Sequence, residues 1–127
     1  MKATKKILII DDDEDVLDMM TSALVTEGFD VKTSEKADDI TEMIHNYKPD
    51  VLLIDYILKG INGGEICHQV KTGVGTSALP VIILSAHSKV LMSLGQYGCD
   101  KFIAKPFDVD YLIGSIHTLF LPSLAQA

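Results

Sequence analysis

Four short aliphatic runs constrain the fold of this 127-residue chain more than any other feature. The runs are Ile7–Ile10, Val51–Ile54, Val81–Leu84 and the shorter Lys101–Ala104. Continuous apolar runs of this length are typical of strands covered on both faces, as in a parallel sheet between two layers of helices. A weaker strand is predicted at Phe29–Thr33, directly after the turn residue Gly28.

Helical patterns lie between the predicted strands. Apolar residues recur at helical spacing near 16–24, 40–47 and 112–120, and shorter helices are predicted at about 64–72 and 88–97. Strand and helix therefore alternate along the chain, which predicts a three-layer α/β fold with five parallel strands and helices on both faces of the sheet.

Acidic residues are concentrated in the first half of the chain. Residues 1–60 contain fourteen Asp or Glu and seven Lys, whereas residues 61–127 contain four of each. The chain has no arginine, the residue that phosphate and guanine contacts favour, so direct binding of nucleic acid is not expected. No apolar run approaches the ~18 residues of a membrane span, and the run that follows the basic N-terminus ends at Asp11, too early for a signal peptide.

A polar or charged residue stands at the carboxyl end of each strong strand, namely Asp11–Asp13, Asp55, Ser85 and Lys105. These ends lie along one edge of a parallel sheet, so the side chains should converge on one cleft. Neighbouring carboxylates raise one another's pKa unless a cation lies between them, and Mg²⁺ prefers such oxygens together with water and phosphate. With an ammonium and a hydroxyl added, the set suits a phosphoryl group that one carboxylate attacks in line.

Several other side chains have a structural interpretation. Asp13–Asp15 are expected to cap the first helix, where acidic groups are favoured. Met19 and Met20 are expected on the core face of that helix. Cys67 and Cys99 are expected to be reduced thiols of a cytoplasmic protein, buried as small hydrophobic side chains.

Together these motifs resemble the receiver domain of two-component response regulators. The resemblance covers residues 6–121 and rests on five segments that occur in the family's order and spacing: Ile7–Asp13, Asp50–Asp55, Asp55–Gly63, Val81–Ala86 and Phe102–Phe107. It implies the flavodoxin-like strand order 2-1-3-4-5. It also implies one receiver domain at 6–121 between short tails at 1–5 and 122–127.

The resemblance implies a role for each residue of the acidic cleft. Asp55 would accept a phosphoryl group, and Lys105 would pair with Asp55 or with the phosphoryl oxygens. Asp12 would bind Mg²⁺ directly, and Asp11 directly or through water. The backbone carbonyl of Ile57 would be the remaining protein ligand.

Further residues would report the phosphoryl group or control its loss. Ser85 would move toward it, and Phe102 would respond as an aromatic switch. In receivers, the positions of Ile57 and His87 border the approach of the hydrolytic water, so these bulky side chains predict slow dephosphorylation. The peptide bond before Pro106 would be cis.

The implied partners are a sensor histidine kinase or phosphotransfer protein and an unknown downstream protein, with no membrane and no nucleic acid. The chain would be a monomer or weak dimer and a phosphoacceptor, not an enzyme, although it would autophosphorylate from small donors and autodephosphorylate.

The main alternative is a receiver-like interaction module that is never phosphorylated. A haloacid-dehalogenase-type hydrolase could use Asp11 and Asp13 but needs a Thr or Val signature that is missing, and a flavin-binding fold needs a hydroxyl-rich loop after the first strand.

Overall fold

In a computed structural model of the protein, the described residues are 4–58, 61–86 and 98–120, without the side chain of Ile61. The helix predicted at 88–97, His87 and the tail at 122–127 lie outside these residues. The described strands are β1 (Lys6–Ile10), β2 (Asp30–Ser34), β3 (Val51–Asp55), β4 (Ile57–Leu58), β5 (Ile61–Asn62), β6 (Val81–Ser85) and β7 (Lys101–Ala104). The described helices are α1 (Glu14–Thr26), α2 (Ile40–Tyr47), α3 (Gly63–Thr72) and α4 (Val109–Leu119).

Five of the strands form one parallel sheet in the order β2-β1-β3-β6-β7. Because β6 and β7 are the fourth and fifth strands of that sheet along the chain, the predicted order 2-1-3-4-5 is confirmed. Each predicted strand agrees with the observed one to within one residue at either end.

The central strands are buried on both faces, as their aliphatic sequences predict. Ile7 and Ile9 of β1 belong to the core cluster that α1 and α4 cover. Leu8 and Ile10 point the other way, into the cluster that α2 and α3 cover. All four side chains are fully buried, so the sheet forms the middle of three layers.

Helix α1 confirms one sequence expectation and contradicts another. Asp13 is its N-cap, and the carboxylate accepts hydrogen bonds from the backbone N–H groups of Asp15 and Val16. Met20 is fully buried, but Met19 is 41% exposed, so the prediction that Met19 faces the core was wrong. Adjacent helical residues point about 100° apart, and only the face of α1 that carries Met20 packs against the sheet.

A small hairpin after β3 was not predicted. Ile57 and Leu58 of β4 pair antiparallel with Asn62 and Ile61 of β5. Two residues per strand are too few to produce a recognisable periodicity in the sequence. Among the helices in the described parts of the chain, none is long and apolar enough to cross a membrane.

Candidate functional site

Side chains from three strand ends meet at the carboxyl edge of the sheet. Lys105, which follows β7, places its Nζ 2.9 Å from Asp11 Oδ2 and 2.9 Å from Asp55 Oδ1. Asp11 follows β1 and is almost fully buried, and Asp55 ends β3 with 13% of its side chain exposed. The convergence of these residues agrees with the sequence prediction, but the ion pair between Lys105 and Asp11 was not anticipated.

Backbone hydrogen bonds beyond the strand ends hold these residues in place. The N–H of Asp11 donates to the carbonyl of Ser34 at 3.1 Å, and the N–H of Lys105 donates to that of Ser85 at 2.8 Å. The sheet pairing therefore extends past β1 and β7 to the residues that carry the charges. The peptide bond between Lys105 and Pro106 is cis, as the resemblance implied.

Asp12 completes a group of three carboxylates. Asp11, Asp12 and Asp55 each offer an oxygen, and these oxygens all lie within 4.8 Å of one another. Asp12 is more exposed than Asp11. Oxygen donors at this spacing, part buried and part open to solvent, fit a hard divalent cation such as Mg²⁺.

The charges of the cluster shift two pKa values. Burial raises the pKa of Asp55; Lys105 opposes this shift, while the negative charges of Asp11 and Asp12 add to it. Burial alone would lower the pKa of Lys105, but its bonds to Asp55 and Asp11 outweigh burial and raise that pKa. Lys105 is therefore cationic at neutral pH, and it is paired with two of the three carboxyl groups of the cluster.

Asp11 is held from both sides. Its Oδ2 contacts Lys105, and its Oδ1 accepts a hydrogen bond from the backbone N–H of Asp13 at 3.0 Å. The side chain of Asp13 turns away to cap α1. Of the consecutive acids, only Asp11 and Asp12 thus belong to the cluster, as the sequence analysis expected.

Ser85 and Phe102 lie on neighbouring strands next to the cluster. In the register of β6 and β7, Ser85 pairs with Ala104 and Ile83 pairs with Phe102. Side chains two residues apart on a strand share a face, so Ser85 and Phe102 lie diagonally on the same face as Ile83. Ser85 is buried, whereas Phe102 is partly exposed and packs against the cluster covered by α2 and α3.

The start of α3 packs against the backbone of Asp55. The N–H of Gly63 donates to the carbonyl of Tyr56 at 2.6 Å, and a Cβ at position 63 would collide with the carbonyl oxygen of Asp55. Glycine is thus required by this close approach. Ile57 lies in the intervening hairpin with 51% of its surface exposed. His87, the other predicted rim residue, lies outside the described residues.

A sequence profile of the family described as the response regulator receiver domain matches residues 7–117. The chain belongs to this family. The matched residues include Asp11, Asp12, Asp55 and Lys105, together with most of α4. The receiver assignment therefore confirms the resemblance, and it leaves the hydrolase and flavin-binding alternatives without support.

Solved structures agree with the receiver fold. A protein of Chloroflexus aurantiacus described as a response regulator is 26% identical, with a TM-score of 0.86 over 92% of this chain and 98% of its own. The chemotaxis response regulator CheY4 of Vibrio cholerae is 18% identical, with a TM-score of 0.84 over 93% and 100%. The response regulator TrrA of Thermotoga maritima, solved in complex with Mg²⁺ and BeF, is 23% identical, with a TM-score of 0.83 over 92% and 100%.

Beside the acidic cluster, this receiver has an apolar groove of about 410 Å³. It lies between α1 and the loop that joins β7 to α4, and it is lined by Val16, Met19, Ala86, Lys105, Pro106 and Phe107. This groove was not predicted, because Met19 was expected on the core face of α1. No local signal in the sequence distinguishes Met19 from Met20, because the helical period allows either side chain to face the core.

Proposed function

We propose that this receiver accepts a phosphoryl group on Asp55 from a phosphohistidine of a sensor histidine kinase or phosphotransfer protein. It would act in the cytoplasm as a signalling switch or phosphate relay, with residues 6–121 as the acting domain. The observation that carries the proposal is the bridge of Lys105 to Asp11 and Asp55 within a cluster that also contains Asp12. Three carboxyl groups and one fixed ammonium suit a site that binds a divalent cation together with a phosphoryl group.

In the proposed step, the Asp55 Oδ2 attacks phosphorus while the bond from phosphorus to the donor's imidazole nitrogen breaks. The nitrogen leaves with the electron pair of that bond. Attack by Oδ2 keeps the 2.9 Å ion pair between Oδ1 and Lys105 in place. The ammonium can then donate a further hydrogen bond to a phosphoryl oxygen, since it has three protons.

We assign the metal ligands to Asp12, Asp55 and the backbone carbonyl of Ile57, with Asp11 binding directly or through water. Both Asp11 oxygens already accept a hydrogen bond, which favours the water-mediated form. When bound, Mg²⁺ would neutralise the carboxylates and the phosphoryl oxygens. This assignment also fits the raised pKa of Asp55, because a cation there would favour the ionised, nucleophilic form.

The apolar groove is the surface on which we place the phosphoryl donor. Lys105 lines the groove and also contacts Asp55, so a protein seated there would reach the acceptor. Met19 is 41% exposed, and the flexible side chain of methionine adapts to different partners. An apolar face of a donor helix would fit this surface better than a charged one.

Transfer should fail without either the acceptor or the metal. We expect the full chain, incubated with acetyl phosphate and Mg²⁺, to gain one phosphoryl group by intact-mass analysis. EDTA should prevent the gain in wild type, and Asp55→Asn should prevent it in the presence of Mg²⁺. Equal labelling with EDTA or full labelling of Asp55→Asn would overturn the proposal and favour an unphosphorylated interaction module.

We propose that Ser85 and Phe102 carry the signal from the phosphoryl group to α4. A phosphoryl group on Asp55 offers new hydrogen-bond acceptors, and the buried Ser85 hydroxyl lies at the same edge of the sheet. Phe102 shares the face of Ser85 and is partly exposed, so it can repack. Beryllofluoride with Mg²⁺ should therefore change amide exchange at Phe102 and across 107–117. Changes confined to residues of the acidic cluster would contradict this relay.

The phosphoryl group on Asp55 should be lost slowly. Ile57 is large, half exposed and unable to donate a hydrogen bond from its side chain, so it would crowd an in-line water without orienting it. We expect Ile57→Asn to shorten the phosphate half-life severalfold, as followed by intact mass after donor removal. His87→Ala tests the second rim position. In wild type, the rate of phosphate loss should depend modestly on pH near neutrality, and this dependence should be absent from His87→Ala. Unchanged or slower loss in both variants would refute the crowding argument.

A further inference from the structure

The two cysteines, which phosphoryl transfer does not use, meet in the core. Cys67 lies in the second turn of α3 and is fully buried, and Cys99 packs against the same cluster from the segment before β7. The two thiols interact closely enough that each shifts the pKa of the other. Both are thiols in the structure, so two oxidisable sulfurs lie in the same packed cluster.

The chain around Cys99 is fastened to α3 and β6. The carboxylate of Asp100 accepts hydrogen bonds from Lys71 Nζ at 2.9 Å and from the N–H of Val81 at 2.8 Å. Gly98 lies against the stem of Lys71, because a Cβ at position 98 would be 3.8 Å from the Lys71 Cβ. Lys71 lies one helical turn after the buried cysteine, so these contacts hold the segment of Cys99 beside the part of α3 that carries Cys67.

The two thiols differ in access and in acidity. Cys67 has no exposed surface, whereas Cys99 is partly exposed. The neighbouring Cys67 thiol lowers the pKa of Cys99 despite burial and the negative charge of Asp100. The interaction with Cys99, together with burial, raises the pKa of Cys67. Since the thiolate is the reactive form, an oxidant would react with Cys99 first.

We propose that Cys67 and Cys99 form a reversible intramolecular disulfide when the protein meets a peroxide. The Cys99 thiolate attacks one oxygen of hydrogen peroxide, the O–O bond breaks, and hydroxide leaves, giving a sulfenic acid. The Cys67 sulfur then attacks the Cys99 sulfur, and its proton leaves with the displaced hydroxyl as water. Overall, two thiols lose two hydrogen atoms, and one peroxide is reduced to two waters.

This link would join two elements that carry parts of the acidic site. Helix α3 begins at Gly63 against the backbone of Asp55, and β7 carries Phe102 and leads to Lys105. Oxidation would thus link α3, which packs against Asp55, covalently to the segment that leads through β7 to Lys105. The disulfide itself does not depend on phosphoryl transfer and can be tested without a phosphodonor.

The test uses the full-length protein exposed to hydrogen peroxide, quenched, denatured and alkylated before proteolysis and mass spectrometry. We expect a peptide pair linked through Cys67 and Cys99 within one chain, lost after treatment with dithiothreitol. In Cys67→Ala, which lacks the resolving thiol, Cys99 should instead be trapped by dimedone as the sulfenic acid. In Cys99→Ala, Cys67 should stay reduced because it is buried.

Three results would overturn the proposal. One is wild-type protein in which both cysteines remain alkylated after peroxide treatment. Another is a linkage found only between two copies of the chain. The third is oxidation of Cys99 to sulfinic acid as fast in wild type as in Cys67→Ala, which would show that Cys67 does not resolve the sulfenic acid. The wild-type measurements decide the question even if a variant folds poorly.

Discussion

Asp55→Asn is expected to abolish phosphoryl uptake and yet make the metal-free protein more stable. The pKa of Asp55 is raised because the side chain is buried and lies beside Asp11 and Asp12, with Lys105 compensating only in part. The folded state therefore disfavours the ionised carboxylate. A neutral amide of the same shape removes that cost, and we expect a gain of about 1 kcal/mol in the free energy of unfolding at pH 8 in EDTA.

The sign of the pH dependence follows from the raised pKa. A carboxyl group with a higher pKa in the folded state adds stability below its unfolded value, and this is lost as pH rises through the folded pKa. Wild type should therefore lose stability over that range, starting near the ordinary value of 3.8. Asp55→Asn lacks this loss, so its advantage should grow with pH and vanish in acid.

Mg²⁺ should reverse the order of stability. A ligand at about 100 times its Kd stabilises the folded state by about 2.7 kcal/mol, which exceeds the expected advantage of the variant. Urea unfolding of both proteins at several pH values, with EDTA or Mg²⁺, measures all of these effects. Asp38→Asn replaces an exposed acid and is the matched control. An Asp55→Asn protein less stable than wild type at pH 8 in EDTA would contradict the argument.

The sheet was predictable because each central strand has an unambiguous local pattern. β1, β3 and β6 are aliphatic runs because both of their faces are buried. The apolar pattern of β2 is weaker because most of that strand is exposed. The acidic site was predictable for a geometric reason. The carboxyl ends of parallel strands share an edge, so Asp11, Asp55 and Lys105 had to converge once the sheet was assigned.

The features that were missed depend on contacts between distant parts of the chain. The ion pair between Lys105 and Asp11 joins residues 94 positions apart, and no local pattern encodes it. The packing of Cys67 and Cys99 in one cluster likewise arises only in the folded chain, because the two residues lie far apart in the sequence. Met19 is a similar case, because the helical period allowed either methionine to face the core.

Lys105→Met is expected to destabilise the protein by about 2–3 kcal/mol at neutral pH, as measured by urea unfolding in EDTA. Methionine keeps the apolar stem but removes the only cation placed between Asp11 and Asp55 among the described residues. Removing one partner of a fully buried ion pair costs about 3–5 kcal/mol. The figure is lower here because 21% of the Lys105 side chain is exposed.

The matched control is Lys71→Met. Lys71 also makes a 2.9 Å ion pair, but 35% of its partner Asp100 is exposed. Water can solvate that carboxylate after the substitution, so we expect a loss of no more than about 1 kcal/mol. The N–O distance is 2.9 Å in both pairs, so a difference between the two losses of stability would reflect the burial of the acid and not the length of the bond.

The destabilisation by Lys105→Met should also fade in acid. Lys105 lowers the pKa of Asp55, so its removal raises that pKa further above the ordinary value. Protonation then relieves the repulsion with Asp11 and Asp12, and the variant should approach wild-type stability as pH falls through the new pKa. Adding Asp55→Asn to Lys105→Met should recover part of the loss at neutral pH, because one of the two unpaired charges is gone. A loss by Lys105→Met that is the same at every pH and additive with the effect of Asp55→Asn would mean that Lys105 acts through packing alone, and that its charge does not stabilise the acidic cluster.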